Sequence, residues 1–102
     1  MIHINLKTPV LKLQLEKADI QSFCELVLNQ FLNHKIEKLS DCGAVWLYNK
    51  LQSKTKQAKT TIKLPLEYAL MLRTFCHQTT VHHELHKVAI YTIFIQLDKQ
   101  MK

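Results

Sequence analysis

A single glycine, Gly43, stands in a chain of 102 residues, and its isolation removes whole categories of chemistry. A phosphate-cradling P-loop needs at least two glycines and a dinucleotide fingerprint needs three, because glycine lets backbone N–H groups approach a phosphate closely. A nucleophile elbow of the Gly-x-Ser-x-Gly kind fails on the same count. The cysteines Cys24, Cys42 and Cys76 lie far apart with no Cys-x-x-Cys pair, so zinc-ribbon and thioredoxin-like readings fail as well. Their odd number, with no apolar leader behind Met1, leads us to expect free thiols in a reducing compartment, the cytoplasm. The longest strongly apolar stretch, residues 88–95, is less than half of the roughly 20 residues that span a bilayer, and no membrane segment is expected.

Catalytic groupings are also scarce. The serines Ser22, Ser40 and Ser53 suit helix, cap and loop roles, and the carboxylates are dispersed. His83 with Glu84, or His34 with Glu37, are only neighbouring or one-turn pairs without a nucleophile or cofactor loop beside them. The expectation is a protein without catalysis, cofactor or small-molecule substrate.

With 47% apolar and 22% charged residues the chain is in the globular range, and its length allows one domain, residues 1–102. Its first fifteen residues alternate. Ile2, Ile4 and Leu6, then Leu11, Leu13 and Leu15, set apolar against polar neighbours with strand periodicity. The phase slips near Pro9 and Val10, which reads either as a turn between two strands or as one bulged edge strand. From Asp19, a suitable N-cap, Ile20, Phe23, Cys24, Val27, Leu28, Phe31 and Leu32 form one face of a helix. Asn33 to Lys38 reads as a connection, and Ser40 or Asp41 can cap a second helix with Ala44, Leu47, Tyr48 and Leu51 on one face. Residues 52–61 then read as a basic loop, and Ile62, Leu64 and Leu66 as a third short strand able to pair with the N-terminal ones.

Pro65 and Glu67 suit the first turn of a third helix running to about His77, apolar nearly all round and therefore central to the core or part of a subunit contact. The last segment is predicted helical over residues 81–100. Glu84, Lys87, Tyr91, Asp98 and Lys102 fall on one stripe, while Leu85, Val88, Ala89, Ile93, Leu97 and Met101 group on the other side. The fold class is therefore α+β, mainly helical: about four helices packed with a small two- or three-stranded sheet from the N-terminus and the middle of the chain.

Charge is the most informative surface feature. Between Asp41 and Glu67 there is no acidic residue, while Lys50, Lys54, Lys56, Lys59 and Lys63 supply +5 of the total +6. Such a concentration suits an anionic partner, nucleic acid or an acidic protein surface, with Trp46 and Tyr48 available to stack on an unpaired base and Arg73 as a further support. Thirteen lysines against one arginine argue against sequence-specific reading, since lysine is a mobile point charge and lacks the planar fork that reads guanine edges. A helix-turn-helix from the first two helices would present Asn49, Lys50 and Gln52, although Trp46 and Tyr48 beside them suit a core equally well.

Four of six histidines cluster near Cys76, as His77, His82, His83 and His86. On a helix His82 and His86 would share a face at the spacing of paired imidazole ligands, and Cys76 or His77 could complete a site. Exposed polar residues are as common in a helix's first turn, so these four remain candidates only and no metal is assigned. The competing functional reading is an inhibitor or assembly subunit, including a homodimer, that makes its contacts through the apolar helices and keeps the lysines for solubility.

Overall fold

The computed structural model describes residues 10–31 and 38–101. The expected strand of Ile2, Ile4 and Leu6, the turn at Pro9, most of the connection after the first helix and the His34 and Glu37 pair lie outside the described residues.

Strand β1, Val10–Glu16, arises from the alternation expected of it: Leu11, Leu13 and Leu15 are buried, and Val10, Lys12, Gln14 and Glu16 point outward. Strand β2, Lys59–Pro65, alternates in the same way and begins three residues before Ile62, so the last part of the expected basic loop is strand. The two pair antiparallel, with Leu11 opposite Leu64, Leu13 opposite Ile62 and Leu15 opposite Thr60. One face of this ribbon is thus core and the other solvent. The Lys17 N–H donates to the Ala58 carbonyl at 2.9 Å and extends the ladder one step into the turn.

Each strand runs straight into a helix. Helix α1, Lys17–Phe31, follows β1 and buries Ile20, Phe23, Leu26 and Val27; it starts two residues before Asp19. Helix α2, Leu39–Leu51, is closed at its start by Asp41, which accepts from the Lys38 backbone N–H at 3.3 Å, so Asp41 acts from inside the first turn. A 3-10 turn, Gln52–Lys54, leads towards β2. Helix α3, Leu66–Gln78, begins after Pro65, and its contacts with α2, α4 and both strands make it central, as its all-round apolar surface implies.

Helix α4, Glu84–Met101, begins three residues later than its sequence pattern indicates. Its buried face is His86, Ala89, Ile90, Ile93 and Leu97. Leu85 and Val88, expected on that side, are 61% and 56% exposed. At 100° per residue Val88 lies about 140° round the helix from Ile93, so the two cannot both face the core.

A two-stranded ribbon is marginal alone because its outer edges leave backbone groups unpaired. On β1 that edge is closed by side chains of α4. Gln100 accepts from the Lys12 N–H at 2.9 Å and donates to the Lys12 carbonyl at 2.7 Å. Gln96 does the same for Gln14, accepting and donating at 2.8 Å. Four residues of helix rise about 6 Å and two residues of strand about 6.8 Å, so glutamines one turn apart match alternate strand residues.

The one glycine has a packing role. A Cβ on Gly43 would lie 2.5 Å from the Leu72 nitrogen and 2.8 Å from the Met71 Cβ, so α2 and α3 cross at backbone contact. Among the described residues no helix is long and apolar enough to cross a membrane.

Gly43→Ala should therefore lower stability by about 2 kcal/mol in denaturant unfolding, because overpacking against backbone outweighs alanine's helix-propensity gain of about 1 kcal/mol; an unchanged midpoint would contradict the close crossing. The Lys12 and Gln14 amides should be protected from hydrogen exchange and should lose that protection when Gln96 and Gln100 are both replaced by alanine, with Leu13 remaining protected by β2.

Candidate anion-binding face

The outward side of the ribbon is where the basic interval acquires a shape. Lys59 and Lys63 project from alternate positions of β2, and both are exposed. Directly opposite Lys63 stands Lys12 of β1, also exposed. Like charges set across from one another cost stability, and solvent screening keeps that cost small. At the other end Glu16 stands opposite Lys59, so the positive excess is concentrated at the Lys12 and Lys63 end.

Lys56 lies in the turn before β2, Lys54 in the 3-10 turn and Lys50 in the last turn of α2. Three ion pairs occur among the described residues: Arg73 with Asp98 at 3.7 Å, His86 with Glu25 at 3.2 Å and Lys87 with Glu84 at 3.4 Å. None of them involves Lys12 or a lysine of the basic interval. A polar cleft of about 740 Å³ where the ribbon meets α4 is lined by Glu16 and Asp19 as well as Lys59, which makes it mixed in sign. The unopposed charge lies outside it.

The proposed supports have other contacts. Trp46 is half-buried against the core and stacks on Tyr68, with centroids 5.0 Å apart and planes 17° from parallel, while the Lys50 ammonium lies 5.5 Å from its ring centroid. Tyr48 is half-buried and packs against the core from α2. Arg73 joins α3 to Asp98 of α4. Trp46 and Arg73 thus join helices to one another. Asn49, Lys50 and Gln52 are exposed.

Lys12 is the member that reading along the sequence missed. Its signal was the outward phase of the β1 alternation, but only the pairing of strands some fifty positions apart brings it beside Lys63.

Among these histidines the His83 and His86 rings lie close, with centroids 4.9 Å apart. Helix α4 starts at Glu84, so the step from His82 to His86 is not a helical turn, and His82 is exposed while His86 is buried. His86 Nε2 lies 3.2 Å from the Glu25 carboxylate and links α4 to α1. His83 Nδ1 accepts from the Leu85 N–H at 3.2 Å, and His77 stacks on Phe94. Among the described residues no group of three or more histidines, cysteines or carboxylates is arranged to hold a metal ion.

All three cysteines are unpaired thiols. Burial pushes the Cys76 thiol up from 9.0 to about 12, and it also raises that of Cys24, which a hydrogen bond from Gln52 partly offsets. Comparison of the chain with protein-family models, with curated proteins and with solved structures finds no match.

Cys76 should resist alkylation at pH 8 in the folded protein and react once the chain is unfolded, as a mass-spectrometric labelling time course would show. The folded thiol holds its proton to about pH 12 and the unfolded one releases it near 9.0, so its contribution is complete below that lower value and is lost as pH rises above it. The loss should approach about 1.4 kcal/mol per pH unit. Thermal unfolding between pH 8 and pH 11 should therefore fall more steeply for the natural chain than for Cys76→Ala; parallel curves would contradict it.

Proposed function

We propose that this chain is a non-catalytic binding protein that docks on an anionic partner, nucleic acid or an acidic protein surface, through its lysine-rich face. The observation that carries the reading is the outward face of the ribbon. There Lys63 of the acid-free interval meets Lys12 across the ladder, and no lysine of this set joins a described ion pair.

Lysines on a strand and its adjoining turn offer exposed, rotatable charges to a line of negative groups, and each contact releases a counterion from a polyanion. Their mobility favours binding without sequence preference. Three unpaired thiols support a reducing compartment, and the cytoplasm is the location proposed.

Exchanging Lys12, Lys59 and Lys63 for glutamate should abolish retention on heparin or a polynucleotide at low salt. With about four phosphate contacts, affinity of the natural chain for duplex should fall on the order of 10²-fold between 50 and 200 mM salt. Retention that survives the triple exchange, or binding indifferent to salt, would remove the reading.

A further inference from the structure

Helix α4 is apolar on two sides, and among the described residues one of them forms part of the core. Its inward side carries Ala89, Ile93 and Leu97. On the far side Val88 and Tyr91 are 56% and 67% exposed, with Ile95 half-buried in line with them. At 100° per residue Glu84, Val88, Tyr91, Ile95 and Lys99 fall within an arc of about 80°, opposite the core. The arc is therefore an apolar centre with an acid at its N-terminal end and a base at its C-terminal end, and both of those ends are exposed.

We propose that this face pairs with the same face of a second copy of the chain, the two α4 helices lying antiparallel about a two-fold axis near Tyr91 and Thr92. Charge decides both occupant and direction. In the antiparallel register that sets Val88 level with the partner's Ile95, Glu84 comes level with the partner's Lys99, and the symmetry axis repeats the pair at the other end. A parallel arrangement would instead set Glu84 against Glu84, Lys99 against Lys99, and like ends of the helix dipoles together. The antiparallel contact is self-complementary and closes at two copies. One helix face per subunit is a small interface, at the lower end of the range for specific association, so the dimer is weak and concentration-dependent.

The proposal is independent of the anion-binding reading, and sedimentation without any polyanion tests it. The natural chain should shift from monomer to dimer as its concentration rises to roughly 1 mM at physiological salt. Val88→Asp should remain monomeric with an unchanged circular-dichroism spectrum. Glu84→Lys and Lys99→Glu should each weaken dimerisation on the order of tenfold by replacing two attractions with two repulsions, and the double exchange should restore it. A chain that is monomeric throughout, a dimer that persists in Val88→Asp, or a double exchange that fails to recover would overturn the proposal.

Discussion

The outer edge of β1 is the constraint on which the arrangement turns. A strand with one partner leaves alternate N–H and carbonyl groups facing away from that partner, and burying or abandoning them is costly. Here the amides of Gln96 and Gln100 take the place of a neighbouring strand. That contact fixes more than an edge. It holds α4 beside β1 at a set height and rotation, turns Ile93 and Leu97 to the core, and leaves Val88 and Tyr91 facing outward. With α4 at the β1 edge and the helices beneath, the ribbon turns its outward face to solvent, and that face carries Lys12, Lys59 and Lys63.

The helices supply the complementary rigidity. Gly43 lets α2 approach the backbone of α3 at Met71 and Leu72, and the Trp46 and Tyr68 rings stack between the same two helices. His86 with Glu25 ties α4 to α1, and Arg73 with Asp98 ties it to α3. Arg73, His86, Trp46 and Tyr68 are thus engaged in joining elements. The lysines of the basic interval have no such ion-pair engagement among the described residues, and this contrast sets the cationic face apart from the rest of the surface.

Where one local period had one interpretation, the sequence was legible. Leu11, Leu13 and Leu15 marked a strand buried on one side, and the crowded apolar surface of α3 called for a central place or a subunit contact, of which the fold shows the first. Where two answers shared one pattern it was not. Helix α4 has apolar residues on opposite sides, and periodicity by itself cannot say which side meets the core; the choice was made by a contact 82 to 88 residues away in sequence, between glutamine side chains and strand backbone. No local propensity announces such a contact. The cationic face was half visible for a similar reason, since five lysines stood in one interval while Lys12 joins them only through the register of β1 on β2. The spacing of His82 and His86 presupposed a helix through both, and the chain becomes helical only at Glu84.

The most direct test of the cationic ribbon is a residue-by-residue map of its partner's footprint. In an NMR titration with a short heparin oligosaccharide, the account predicts that amide shifts gather at Lys12, Lys59 and Lys63 and through the turn at Lys54 and Lys56, while the buried face of α1 stays unmoved. Shifts confined to other faces of the helices, or none at all at low salt, would contradict it.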